Sequence, residues 1–227
     1  MKIAIVGSEK EKALMLLQKY EDFFEIDETN PEVVISHGGD GTLMKAEHLY
    51  PGVPKLYLRN SRIAKLAHQT KENEEILEHF VKGEYKTREY IKLEVAAKGK
   101  ILVGLNDIII HNENARHAVR YVVQVDNGNV SNEIIGDGLV FATPLGSTGY
   151  YRSITGSSFE IGIGLAFNNS TEQSDHMVLK EDRIIKVRII RGPVFCYADN
   201  QKEYIELFDG ETVEVRKSSL VGKIIHV

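Results

Sequence analysis

Near residue 85 the spacing of apolar residues switches from the period of a helix to that of a strand, so one uniform architecture cannot satisfy both halves. In the first half, KIAIVG at residues 2–7, Val33-Val34-Ile35-Ser36 and Val53 to Leu58 read as short buried strands. Helical patterns separate them. Ala13, Leu16, Leu17 and Tyr20 share one face of a helix over Glu9 to Tyr20, Leu43 to Leu49 continue a second, and a charged pattern from Lys71 to Val81 gives a third. Alternation of this kind predicts a Rossmann-like α/β domain over residues 1–85, with a parallel sheet covered by helices.

After Lys82-Gly83, Ile91, Leu93 and Val95 alternate with Lys92 and Glu94, the signature of a half-buried strand. The same alternation returns at Val119, Tyr121, Val123 and Val125, and at Ile185, Val187 and Ile189. Asp126-Asn127-Gly128-Asn129 is a hairpin signal, because Asn and Gly tolerate positive φ. The expectation is a β-rich, β-sandwich-like domain over residues 86–205, with strands at 206–227 free to return to the N-terminal domain. No repeat or Pro-rich linker parts the two domains, which predicts a tight interface with the active site in the cleft.

Composition narrows the function classes. A single cysteine, Cys196, excludes an internal disulfide framework or a multi-cysteine metal cluster and suits a reducing compartment, so a cytoplasmic location is expected. The apolar run after Met1-Lys2 stops at Gly7, before Glu9, Lys10, Glu11 and Lys12, too short for a secretory signal. No stretch approaches the roughly 20 apolar residues that span a bilayer. A formal net charge of −5 gives no general attraction to nucleic acid or to an anionic membrane, so any phosphate must be held by local groups.

One such group is His37-Gly38-Gly39-Asp40-Gly41-Thr42, which follows a strand and precedes a helix. Glycines let the backbone turn and approach a ligand, and amides at a helix N-terminus suit an anion; Gly38, Gly39, Gly41 and Thr42 are therefore candidates for a phosphate-binding loop. The loop lacks the Lys-Ser/Thr ending of a P-loop, so a divalent ion, Mg²⁺ by preference, is expected on the donor's own phosphates. Asp40 would serve as a plain N-cap of the following helix. A cap needs no glycine on each side, however, whereas a carboxylate meeting a substrate hydroxyl beside a phosphate does, which makes Asp40 the candidate proton acceptor.

Two further constellations follow. Asn106-Asp107 stands between Leu102-Val103-Gly104-Leu105 and Ile108-Ile109-Ile110, and reads either as an Asx turn between strands or as an amide and a carboxylate for a ribose. From Gly136 to Tyr150 an apolar strand runs into a Pro-x-Gly turn and then hydroxyl residues. Ser147, Thr148, Tyr150 and Ser153 suggest a neutral, hydrogen-bonding wall for an adenine or a sugar.

Taken in order, Gly38 to Thr42, Asn106-Asp107 and Asp137 to Tyr150 resemble the GGDGT, Asn-Glu/Asp and DGL-x-x-x-TP-x-GSTAY patterns of the NAD kinase family, with Gly149 in place of the usual alanine. The resemblance implies phosphorylation of the 2′-hydroxyl of the adenosine ribose of NAD, with ATP or polyphosphate as donor and Asp40 as proton acceptor. It also implies that Asp40, Gly41, Asn106, Asp107, His117, Asp137, Leu145, Thr148, Gly149, Tyr150 and Ser153 contact NAD. Gln201 joins them through Asp199-Asn200-Gln201, which resembles a late Asp-Gly/Ser-Gln element. A homodimer or homotetramer is implied, with Asp137 reaching a neighbouring subunit's site.

The chain departs from the family at Asn60 to Leu66, where a Gly-x-Leu-Gly-Phe pattern is usual, and at Gly156-Ser157-Ser158, where Gly-Gly-Pro is usual. Its Thr-Pro and Pro-His-Ser elements have no counterpart in Leu165 to His176. Arg62 and Lys65 are read as surface charges or as charges near the donor. Two alternatives stand beside the kinase: an NAD(P)-binding sensor without turnover, and a lipid kinase with a related GGDG loop. The lipid kinase would have no need of Asn106-Asp107 or of the Ser147 to Tyr150 wall.

Overall fold

The computed structural model describes residues 1–59, 72–126, 128–129, 132–172 and 176–227. The chain divides into two compact units, Met1–Tyr90 with Leu220–Val227, and Ile91–Ser219.

In the first unit, strands β1 (Lys2–Val6), β2 (Glu25–Ile26), β3 (Val33–Gly38) and β4 (Lys55–Arg59) lie parallel in the order β4-β3-β1-β2. Helix α1 (Lys10–Gln18) joins β1 to β2, α2 (Asp40–Leu49) joins β3 to β4, and α3 (Asn73–Val81) follows β4. Alternate strand residues face opposite layers, as a twofold period requires. Ile3, Ile5, Ile35, Leu56 and Leu58 pack with Ala13 and Leu17 of α1 and Ile76, Leu77 and Phe80 of α3. Ala4, Val6 and Val34 pack on the other side with Ala46 of α2. Every residue of β3 is buried, which fits a central parallel strand covered on both faces. Lys55 and Glu47 form a buried ion pair under α2, and the Lys55 ammonium also donates to the Tyr50 carbonyl at 2.6 Å.

The second unit holds β5 (Lys86–Ala97, from Ile91 onward), β6 (Lys100–Gly104), β7 (Asp107–Asn112), β8 (Val119–Val125), β9 (Gly128–Asn129), β10 (Ile134–Gly136) and β11 (Gly138–Ala142). After α4 (Tyr150–Thr155) come β12 (Ile163–Asn168), β13 (Met177–Leu179), β14 (Ile185–Arg191), β15 (Val194–Ala198), β16 (Tyr204–Leu207) and β17 (Thr212–His226). One antiparallel sheet runs β13-β12-β11-β7-β15-β16. A second is built on β10-β8-β14-β17, with β5 beside β17 and β6 beside β5. A single apolar core takes side chains from both sheets, among them Ile108, Ile110, Leu139 and Phe141 from one and Val123, Val187 and Val213 from the other. The expected β-sandwich-like module on the C-terminal side of an α/β module is therefore the observed architecture.

The hairpin expected at Asp126 to Asn129 forms by pairing Val125 with Gly128, and Asp126 takes the left-handed φ of 53°. Asn127 lies outside the described residues. One helix differs from expectation. Tyr150–Thr155 is a short α-helix, preceded by a 3-10 turn at Gly146–Thr148, where the sequence suggested only a turn and a polar wall. The cause is Tyr151, which is fully buried with Val140, Ala142 and Ala166 against the outer face of the β11-β12 pair. Residues 220–227 of β17 leave the second unit and pair in parallel with β4, Ile224 beside Lys55 and Ile225 beside Leu56. No helix among the described residues is long and apolar enough to cross a membrane.

Candidate functional site

In the first unit the glycine-rich segment is more compact than its composition suggests. Helix α2 begins at Asp40 itself, with Gly39 as its cap at φ −100°, ψ −173°. Asp40 is thus the first residue of the helix and not its N-cap, so the plain capping role drops away. Thr42 N–H closes the first turn on the Gly39 carbonyl at 2.9 Å. Gly38 has no room for a side chain, since a Cβ there would overlap that of Thr42. Gly39 is the opposite case: a Cβ would meet nothing within 4 Å among the described residues. Space beside Asp40 at the positive end of a helix is what an approaching anion requires.

Tyr57, on β4 and 2% exposed, lies beneath this turn. Its hydroxyl donates to the Gly38 carbonyl at 3.1 Å. Burial raises the phenol's pKa first, and the Asp40 carboxylate raises it further through its charge and a hydrogen bond. The tyrosine therefore ties the loop's backbone to its carboxylate. Nothing in the sequence marked it, because it sits inside an apolar run. Residues 60–71, which include Arg62, Lys65 and the Asn60 to Leu66 departure, lie outside the described residues.

In the second unit the two later motifs meet through strand pairing. Register between β7 and β11 sets Asp107 opposite Ala142, so Asn106 abuts the Thr143 to Gly146 turn. Thr143 N–H donates to the Asn106 carbonyl at 2.8 Å, its hydroxyl donates to the Leu105 carbonyl at 2.8 Å, and Gly146 N–H donates to that hydroxyl at 3.1 Å. A Cβ at Gly146 would overlap the Asn106 carbonyl, which explains glycine in the turn. Asn106 Oδ1 is buried without a hydrogen-bond partner among the described residues. Such an atom costs free energy until something donates to it.

The Asn106-Asp107 turn is not held by its own asparagine. Asp199, just past the end of β15, accepts the backbone N–H groups of Leu105 at 2.7 Å, Asn106 at 2.8 Å and Asp107 at 3.1 Å. Asp107 is 8% exposed. Burial, and then the Asp199 charge, raise its pKa to about 7. Asp199 is likewise raised by burial, against which the three amides and the charge of Lys92 act.

Tyr150 opens α4 and accepts a hydrogen bond from Asn168 Nδ2 at 2.9 Å. Burial raises its pKa, Asn168 opposes this, and the Asp137 and Asp107 charges add to the rise, so this phenol faces both carboxylates. Asp137, between β10 and β11, accepts from Asn112 Nδ2 at 3.3 Å and Asn169 Nδ2 at 3.0 Å. Asn112 also donates to the His117 carbonyl at 3.0 Å, which links that exposed loop residue to Asp137 through its backbone. Leu145 and Thr148 are half-buried and Gly149 is exposed.

Other candidates are engaged elsewhere. Ser147 does not belong to a polar wall: it is 1% exposed, and its hydroxyl lies 2.8 Å from the Pro144 carbonyl and 3.0 Å from that of Phe159. Ser153 Oγ donates back to the Tyr150 carbonyl at 2.7 Å, the usual choice of a serine within a helix. Gln201 Nε2 donates to the Val103 carbonyl at 2.7 Å. Asn112, Asn168 and Asp199 are the polar residues that sequence reasoning left without a role.

Comparison with known proteins adds an independent line. The family described as ATP-NAD kinase C-terminal domain matches residues 105–227. An NAD kinase of Ruminiclostridium cellulolyticum is 28% identical over 96% of this chain and 84% of its own length. One from Saccharolobus solfataricus is 31% identical over 69% of this chain, an alignment that spans 64% of that protein. Among solved structures, an NAD kinase from Archaeoglobus fulgidus in complex with ATP superposes with a TM-score of 0.81 at 20% identity, over 99% of this chain and 93% of the other. Yeast NADH kinase complexed with NADH gives 0.84 at 16% identity, over 100% and 83%. At these identities the superpositions establish the shared fold.

Proposed function

Because the chain belongs to the NAD kinase family, we propose that it moves the terminal phosphoryl group of ATP to the 2′-hydroxyl of the adenosine ribose of NAD, with Asp40 accepting the proton. The observation that carries the role of Asp40 is its place as first residue of α2, with open space beside Gly39 and Tyr57 fixing the turn from below. Carboxylates are weak bases for a sugar hydroxyl. Phosphoryl transfer tolerates this, because in a loose transition state the proton leaves late, and a fixed carboxylate both orients the nucleophile and collects the proton.

Among the described residues no cluster of three or more His, Cys, Asp or Glu side chains would hold a metal. The Asp40 carboxylate beside the donor phosphates would fit Mg²⁺, an ion that prefers phosphate oxygens, water and one or two carboxylates. When bound it would supply charge neutralisation on the phosphates.

The second unit supplies the dinucleotide contacts in this reading. Asn106 offers an unsatisfied buried oxygen and Asp107 a poorly solvated carboxyl, and NAD hydroxyls and amide hydrogens are suitable donors to both. Leu145, Thr148, Gly149 and Tyr150 give the adenosine a largely neutral surface, with Ser153 and His117 at its exposed edge. Asp137 and Gln201 complete the set. A homodimer or homotetramer in the cytoplasm is part of the same reading, and a buried Cys196 thiol, raised to about 12 by desolvation, suits a reducing compartment.

A coupled assay with Mg²⁺ and ATP tests it. Wild type forms NADP from NAD, whereas Asp40→Asn binds NAD and forms none. Tight NAD binding by wild type with no NADP formed, from ATP or from polyphosphate, would replace the kinase by a binding protein. Activity retained in Asp40→Asn would remove only the base assignment.

A further inference from the structure

The carboxylate of Asp199 is the most deeply engaged acidic group of the second unit. Its Oδ2 takes the Leu105 amide, and its Oδ1 takes those of Asn106 and Asp107. The contact runs both ways, since Asp199 N–H donates to the Asp107 carbonyl at 3.0 Å. To place its side chain there, Asp199 adopts a left-handed φ of 50°. Non-glycine residues seldom hold that conformation without compensation from their surroundings.

Gly104 also shows how closely this carboxylate is fitted. A Cβ at Gly104 would come within 3.0 Å of Asp199 Oδ1 and within 2.6 Å of the Asp107 carbonyl. Three amide hydrogens turned inward onto one anion leave the side chains of Asn106 and Asp107 with a fixed direction of departure. Charge-assisted bonds of this kind are short and strong, and they narrow geometry as well as lower energy. An Asx turn would satisfy the same backbone with less constraint.

We propose that Asp199 is a positioning residue of the NAD site, acting on the dinucleotide only through the main chain of residues 105–107. The inference rests on the reading of Asn106 and Asp107 as NAD contacts. Asp199 has a second, electrostatic route to the same pair, because its charge faces Asp107 while Lys92 of β5 is the cation that faces Asp199.

The test uses the whole 227-residue chain and Asp199→Asn. An asparagine offers one acceptor oxygen and turns its NH₂ group against an amide donor, so the turn loses at least one bond and gains a donor facing a donor. KM for NAD is expected to rise about tenfold, the equivalent of one charge-assisted hydrogen bond, with KM for ATP unchanged. With the carboxylate gone, the acidic limb of the KM(NAD) profile moves to lower pH, a change that loosened packing alone would not produce.

If KM for NAD stays put in Asp199→Asn but rises in Asn106→Ala, the positioning role is wrong and the NAD contacts stand. If neither variant changes it, the assignment of the NAD site fails and the proposal fails with it. Should Asp199→Asn not fold, hydrogen exchange on the wild type decides: amides of Leu105, Asn106 and Asp107 protected together support the proposal, and exchange at open-loop rates overturns it.

Discussion

Replacing Asp107 with asparagine should stabilise the ligand-free protein, and by an amount that depends on pH. In the folded chain this carboxyl has a pKa of about 7, raised from 3.8 by burial and then by the charge of Asp199. Between those two values the folded protein keeps a proton that the unfolded chain has released. Stability from this group is therefore complete at acid pH and is lost as pH rises from about 3.8 through 7. At about 1.4 kcal/mol per pKa unit, the loss amounts to about 4 kcal/mol once the pH is above 7. Asparagine has nearly the same shape and no proton to release. Urea unfolding of both proteins, followed by circular dichroism from about pH 4 to about pH 9, isolates the effect, because groups common to both cancel in the difference. The variant's advantage should grow with pH by about 4 kcal/mol, most steeply below pH 7. NAD is expected to act in the opposite sense: its donors favour the carboxylate, so wild-type affinity should rise through the same pH range while the variant's stays flat. An advantage independent of pH would refute the reasoning, since it would mean that Asp107 is already ionised at low pH and meets no desolvation cost.

Two adjacent glycines offer a contrast in the first unit. Gly38→Ala drives a methyl into Thr42 and should cost about 1–3 kcal/mol in thermal or urea unfolding. Gly39→Ala meets open space, so its cost should stay under about 1 kcal/mol, the price of a poorer helix cap, while kcat/KM for ATP falls because a phosphate must occupy that space. Tyr57→Phe removes the bond to the Gly38 carbonyl; kcat should fall several-fold, on the scale of about 1 kcal/mol, with KM for NAD unchanged. An unchanged kcat in that variant would show that the turn holds Asp40 without help from β4.

Periodicity made the two modules legible in the sequence because it reports which face of each element is buried, and burial drives both of them. The buried run Val33 to Gly38 and the alternating Val119, Tyr121, Val123 and Ile185, Val187, Ile189 sets follow directly from that rule. Helix α4 did not, since six residues are too few to display a helical period and Pro144 with Gly146 signals a turn. Ser147 was read outward because hydroxyls favour surfaces on average, but here the side chain is buried with its hydroxyl between the carbonyls of Pro144 and Phe159. Asp199 and Asn112 were unreadable for a different reason. Both act on main-chain groups, Asp199 on amides far away in sequence and Asn112 on the nearby His117 carbonyl, and main-chain groups carry no residue signature. Asp40 and the Asn106-Asp107 pair were visible as candidates because their chemistry lies in the side chains.

The strand at Leu220–Val227 has a consequence for how the protein is made. Ile225 packs in the same apolar cluster as Ile3, Ile35 and Leu56, so the sheet that contains β1 obtains its outer strand only from residues 220–227, which follow the whole of the second unit. On the ribosome the second unit has most of its strands before the first unit can close. Until residues 220–227 emerge, β4 presents an unpaired parallel edge to its surroundings, the kind of surface on which chaperones act and on which nascent chains aggregate.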